Sequence, residues 1–196
     1  MKKLSLTVLL FALSTLALAQ QQPAKPPAPP AAPAPPAATE TKPAARPDDV
    51  QSISAIVNAV YDVISGPAGE RDWNRFRSLF IPEARLIFNI ATPKGDVVRR
   101  VMSTGDYAQR TVPIFMKEAF FERGIANRVD RFGHIAQVFS TYESRHEKDG
   151  APFARGINSI QLVYDGQRWY IVTILWDQES PGNKIPEQYL TGTSAD

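Results

Sequence analysis

Gly69-Glu70-Arg71-Asp72-Trp73-Asn74-Arg75-Phe76-Arg77-Ser78-Leu79-Phe80-Ile81-Pro82-Glu83-Ala84 is the stretch where this chain turns from helix to strand. Asp72 marks a helix start, and Trp73, Phe76 and Phe80 fall on one helical face. Pro82 is expected to stop that helix, because proline lacks the amide a helix interior needs. Directly afterwards, Arg85-Leu86-Ile87-Phe88-Asn89-Ile90 reads as a strand.

Upstream, Val50, Ile53, Val57, Val60 and Ile64 step by three and four residues, which predicts one apolar helix face. Pro47 and Asp48 give that helix a start, with Gln51 placed as in a capping box, and Gly66-Pro67 ends it. Downstream, Pro93-Lys94-Gly95-Asp96 predicts a turn into a partner strand, Val97 to Met102. Ser103 followed by Asp106 predicts a helix running toward Lys117, kinked or split by Pro113. Four long strand segments follow, Phe121 to Phe132, Ile135 to His146, Phe153 to Tyr164 and Arg168 to Asp177. Gly133, Asp149-Gly150 and Asp165-Gly166 separate them, and the two Asp-Gly pairs are turn formers.

Helices, a hairpin, a helix and then a meander make an α+β domain, with helices packed on one face of a curved, mainly antiparallel sheet. In the last strand Trp169, Ile171 and Leu175 are expected on one side, and Tyr170, Val172, Ile174 and Trp176 on the other. Both sides are apolar and want cover. Helices can cover only the concave side, so the convex side is expected to pack on a second copy in a homodimer. The alternative cover is the tail, Ile185 to Leu190.

The stretch from Gly69 to Ala84 resembles the second-helix signature of the nuclear transport factor 2-like superfamily, in its SnoaL-like bacterial branch. Asp165-Gly166-Gln167-Arg168-Trp169-Tyr170-Ile171 is similar to that family's turn and final strand. The resemblance spans nearly all of Val50 to Glu179. It implies a cone-shaped domain, a cavity between sheet and helices, and frequent dimerisation. Members include steroid isomerases, dehydratases, polyketide cyclases and many proteins without chemistry. In the isomerases a tyrosine on the first helix and an acid at the end of the first strand do the work. Tyr61 matches the tyrosine. The strand from Ala84 to Ile90 carries no carboxylate, and Phe88 and Asn89 stand near the expected place, which speaks against steroid-isomerase chemistry.

The N-terminus reads as an address and a tether. Lys2 and Lys3 precede an apolar run from Leu4 to Leu16, and Ala17-Leu18-Ala19 fits a signal-peptidase site, so residues 1–19 are expected to direct export and be removed. That run is too short for a good membrane span. No cysteine follows it for lipid attachment, so the chain is expected in the periplasm or outside the cell, with no membrane span after cleavage. Residues 20–47 hold ten of the chain's seventeen prolines and cannot build a core. As a semi-rigid spacer they would reach roughly 80 Å. Residues 48–196 remain for one domain. The formal net charge of +2 turns negative once Lys2 and Lys3 are set aside with the tract's Lys25, Lys42 and Arg46 against Glu40. With no basic stripe, nucleic acid is not an expected partner. The absence of cysteine also excludes disulfides, thiol catalysis and thiolate metal sites.

Asp130 and His134 are the acid/base pair the sequence offers, on adjoining strand segments around Gly133. A histidine oriented by an aspartate can move a proton near neutral pH, and a surface ion pair with Arg128 and Arg131 nearby is the plain alternative. Glu143 and Arg145 share one strand face, as do Arg155, Ser159 and Gln161 on the next. These alternating polar positions suit a solvated or dimer-facing sheet, with a polar cavity wall as the alternative. Asn158 points the other way between Ile157 and Ile160, and needs a partner if buried. Tyr61, Trp73, Phe76 and Trp176 are core residues that can also line the cavity, and with Asn158 they form the expected ligand-binding set. His134 and His146 are the only histidines and have no ligand spacing, so neither metal nor cofactor is expected. A phosphate loop and a Gly-x-Ser-x-Gly elbow are both missing.

These readings combine into an exported, tethered domain that binds a small, largely apolar molecule in its cavity without catalysis. One alternative is a proton-transfer isomerase, dehydratase or cyclase, with Asp130 and His134 as acid and base and Tyr61 polarising an oxygen. The other is a dimeric envelope interaction module positioned by the tether.

Overall fold

The computed structural model describes residues 43–91 and 96–192. The export and tether readings fall almost entirely on residues 1–42, and the turn at 93–95 likewise lies outside the described residues.

Two segments replace the single first helix. Helix α1 is Pro47–Val50, and α2, Ile53–Ile64, starts afresh at Ser52, whose hydroxyl accepts the Ala55 amide at 3.0 Å. No side chain caps α1, and the Asp48–Gln51 box does not form. Serine is a strong N-cap, so the chain restarts there. The apolar stripe survives the break, with Val50, Ile53, Val57, Val60 and Ile64 all buried. One side chain collects the carbonyls after α2. Arg71 donates to Ile64, Gly66, Pro67 and Gly69, with N···O distances of 2.9–3.0 Å. A cation there satisfies orphan carbonyls and the helix dipole together.

Asp72 caps α3, Trp73–Ser78, by accepting the Arg75 amide at 2.8 Å. The helix ends before Pro82. Leu79 is its C-cap, and Phe80 opens strand β1, Phe80–Ala91. Pro82 thus lies in a strand, within the register irregularity between Phe80 and Arg85, where a missing amide is tolerated. Arg75 ties the three helices together. It makes a bidentate pair with Asp49 (2.8 Å at both oxygens) and a third bond to Asp62 at 2.5 Å.

Strands β2 (Val97–Met102), β3 (Phe121–Phe132), β4 (Ile135–Arg145), β5 (Pro152–Tyr164) and β6 (Trp169–Gln178) complete a six-stranded sheet in the order β2-β1-β6-β5-β4-β3. Every pair is antiparallel except β1–β6. Helix α4, Thr104–Phe115, opens with a reciprocal Ser103–Asp106 capping box and runs unbroken through Pro113 in its last turn. The helices pack on the concave face of this curved, open sheet.

Register assigns the faces. Glu122–Ser144–Ala154 and Ser140–Asn158–Trp176 are rows of paired residues on the concave side, and Arg123–Glu143–Arg155 is a row on the convex side. The expected grouping on β6 changes at Val172. Gln161 pairs with Thr173 but Leu162 pairs with Ile171, so Val172 is a bulge. It carries Ile174 and Trp176 onto the concave side with Trp169 and Ile171, and leaves Leu175 outside. A single helical turn in the tail, Glu187–Tyr189, packs on β3 and β4. Thr141 Oγ1 donates to the Tyr189 carbonyl at 2.5 Å, and the Tyr189 ring meets Phe139 edge-on at 4.9 Å. The tail covers part of the convex face, and Leu175 stays 40% exposed. On that face Glu143 is buried between Arg123 (2.7 Å) and Arg145 (2.5 Å).

Candidate ligand cavity

A cavity of about 240 Å³ lies between the helices and the concave face. Val60 and Ile64 from α2, Phe76 from α3, Leu86 from β1, Ile160 from β5 and Ile174 from β6 give it apolar walls. One polar chain crosses it. Tyr61 and Ser140 share a hydrogen bond between hydroxyls at 2.7 Å, and Asn158 Nδ2 donates to the Tyr61 oxygen at 3.1 Å. The Asn158 side chain also bonds to the Glu122 carboxylate, and Ser144 Oγ donates to Glu122 Oε2 at 2.7 Å.

Local structure holds Glu122 in place. The Ser65 hydroxyl, just past α2, donates to the Tyr61 carbonyl at 2.7 Å and accepts the Glu122 amide at 2.9 Å. Gly66 and Phe120 exchange backbone hydrogen bonds at 2.7 and 3.0 Å, which fixes the end of α2 to the start of β3. Two glycines make room for rings. A Cβ on Gly124 would sit 3.2 Å from the Tyr61 ring. On Gly156 it would overlap the Asp177 carbonyl and lie 2.6 Å from the Tyr142 hydroxyl. A side chain at Gly156 is incompatible with this packing, while one at Gly124 would require the Tyr61 and Ser140 side chains to give by a few tenths of an ångström.

Burial is the largest influence on Glu122. It pushes the carboxyl up to about 7, and the hydrogen bonds from Ser144 and Asn158 pull partly the other way. The phenols of Tyr61, Tyr107 and Tyr142 are raised well above the ordinary tyrosine value, by burial first and by the nearby Glu122 second. Among the described residues, the Tyr107 and Tyr142 hydroxyls have no hydrogen-bond partner, so both are free to meet a ligand. A carboxyl that titrates near neutral pH beside neutral phenols can bind a polar group, or take and return a proton.

Four of the expected ligand residues, Tyr61, Phe76, Asn158 and Trp176, line this cavity together. Trp73 stands behind the wall, edge-on to Phe76 at 5.5 Å and stacked on Phe115 at 6.2 Å. Asp130 and His134 are both exposed and do not line it. His134 sits in the two-residue turn between β3 and β4, its ring 6.0 Å from that of Tyr164. Among the described residues, no cluster of three or more His, Cys, Asp or Glu could hold a metal ion. Sequence reasoning missed Glu122, Ser144, Tyr107 and Tyr142. A second bulge explains the first omission. Gly124 pairs with Tyr142 but Ala126 pairs with Thr141, so β3 gains a residue at Ile125. Strict alternation counted from Val129 puts Glu122 outside, and the bulge turns it inward.

Tyr61→Phe is expected to cost about 1 kcal/mol of unfolding free energy, because it strips a shared partner from Ser140 and Asn158. Urea titration checks this, and unchanged stability would refute the structural weight given to the Tyr61 hydroxyl.

No protein-family model and no curated protein matches the chain. Solved structures do. A protein of unknown function with a cystatin-like fold from Nostoc punctiforme PCC 73102 superposes with a TM-score of 0.51 at 10% identity, covering 67% of this chain and 91% of that one. A nuclear transport factor 2-like protein of unknown function from Pseudomonas putida KT2440 gives 0.50 at 10% identity, covering 67% and 89%. At such identity the likeness bears on fold alone. With helices on the concave face of a six-stranded, mostly antiparallel sheet and a cavity between them, this chain has the nuclear transport factor 2-like fold.

Proposed function

We propose that this chain binds a small, largely apolar molecule in the cavity between helices and sheet. The observation that carries the reading is the cavity's composition. Its walls are aliphatic and aromatic, and its polar groups are few and convergent, centred on Glu122, Tyr61 and Asn158 with two unpartnered phenols beside them. Ligand sites have this character: apolar area supplies affinity and a few fixed polar groups supply orientation. The same proposal has the chain acting after export on its Ala/Pro tract, a part supported by the sequence of residues 1–47.

Native mass spectrometry of the mature chain purified from its own envelope tests the binding reading. The expected spectrum carries an added small mass. Ala154→Trp fills the cavity from a half-buried position on β5 and is expected to abolish that mass. A cavity that binds nothing, or a mass that persists in Ala154→Trp, would overturn it.

Glu122 favours a second reading, proton transfer on the bound molecule. In that reading the carboxyl is the base and a phenol of Tyr107 or Tyr142 steadies the developing charge, a role that Asp130 and His134 cannot fill from the surface. Turnover of the captured molecule would rise with pH through about 7 and disappear in Glu122→Gln.

A further inference from the structure

Among the described residues, the cavity holds a carboxyl group and no cation to match it: its lining contains no lysine, arginine or histidine. The groups that act on Glu122 are burial, Ser144 and Asn158. The cations nearest in sequence, Arg123 and Arg145, line a neighbouring cavity that Glu122 also borders, with Lys148, and both arginines are engaged by another carboxylate. Arg123 bonds to Glu143 on the convex face at 2.8 Å, and Arg145 does the same at 2.5 Å. An ionised carboxylate in such surroundings is poorly solvated, and the missing partner is a positive charge.

The walls around it suit a cation as well. Tyr107 stacks on Phe76 at 5.4 Å and meets Trp176 edge-on at 6.5 Å, while Phe120 lies 6.3 Å from Phe153. Aromatic faces attract cations through their quadrupole, most strongly where water is excluded. A carboxylate within an aromatic enclosure is complementary to an ammonium group on an apolar body. A neutral ligand would leave that carboxylate unmatched.

We infer that the ligand is a small amine or quaternary ammonium compound with an apolar body, its cationic head against Glu122 and among the rings of Tyr107, Tyr142 and Trp176. The inference rests on the ligand-binding reading above. Binding then couples to protonation, because only ionised Glu122 can pair with the cation. The charged groups of the neighbouring cavity that Glu122 borders are Asp62, Arg123, Arg145, Lys148 and Asp149, and the groups inside the ligand cavity do not share the titration. Tyr61 from α2, Tyr107 from α4 and Tyr142 from β4 have raised phenols that stay neutral near pH 7, and β5 and β6 present Asn158 and Gln178. The imidazole nearest the lining belongs to His146, stacked on Phe153 at 4.2 Å, so His146→Gln serves as a control.

Isothermal titration calorimetry of the full chain with benzyltrimethylammonium, a permanent cation, and benzyl alcohol, an uncharged comparator, tests the inference. The cation is expected to bind about tenfold more tightly at pH 8 than at pH 6, following a carboxyl that titrates near 7. That dependence is expected to survive His146→Gln. Glu122→Gln is expected to lose at least tenfold for the cation at pH 8 and to keep its affinity for benzyl alcohol. If the alcohol binds as well as the cation, is blocked by Ala154→Trp and is indifferent to Glu122→Gln, the cavity is a ligand site and the ammonium assignment fails. If neither probe binds, the binding reading falls with it.

Discussion

Asp49→Asn is expected to lower the unfolding free energy by about 3 kcal/mol at pH 7. Asp49 is 8% exposed and takes both ends of the Arg75 guanidinium, so the substitution leaves a mostly buried cation with Asp62 alone. Breaking such a pair costs more than the pair gains over an apolar replacement, because the remaining charge stays desolvated. The effect has a pH signature. The hydrogen bond to Arg75 is the first cause holding the Asp49 carboxyl below its usual range, with burial opposing it. A group depressed in the folded state contributes stability that is present above its unfolded value and lost as pH falls through its folded value. The gap between native chain and variant should therefore be full at pH 7 and shrink on acidification below about 4. Urea titrations at pH 7 and pH 3 measure it. A gap that stays constant would show that Asp49 acts through packing and not through its charge.

The helices, the four-strand meander and the α+β class were legible in the sequence, because long periodic segments bounded by Gly and Pro leave little choice of element. What escaped depends on single residues that periodicity cannot see. The restart at Ser52 is masked by an apolar stripe that continues through it. The bulges at Ile125 and Val172 each reverse the alternation of one strand. The first hid Glu122, and the second exchanged the faces assigned to Ile174, Leu175 and Trp176. Asp130 and His134 drew attention by residue type, yet a strand end and a two-residue turn leave them in solvent. Asn158 was within reach because it stands in apolar company where a polar group needs a partner, and Tyr61 through the family resemblance of its helix; the two prove to be each other's partner.

Glu122→Gln is expected to stabilise the fold by about 2 kcal/mol at pH 8 while weakening the site, a combination that marks a residue kept for function. The carboxyl is raised from 4.5 to about 7 in the folded chain, so the folded state binds a proton the unfolded chain has already released. Stability tied to this group is fully present below about 4.5 and declines as pH rises through about 7. A shift of that size corresponds to roughly 3 kcal/mol, and the cavity's access to water reduces it to about 2. Glutamine has the same shape and no charge to bury. It keeps an oxygen for Ser144 and Asn158, so the polar chain survives. The difference between the two chains should be near zero at pH 4 and should grow to its full size by pH 8. Urea titration across that range reads it directly. A variant less stable than the native chain at pH 8 would mean that protein groups already neutralise Glu122, and the cavity would then have no call for a cationic ligand. A variant more stable but unable to bind benzyltrimethylammonium separates the two roles cleanly, since the lost binding could not then be laid to unfolding.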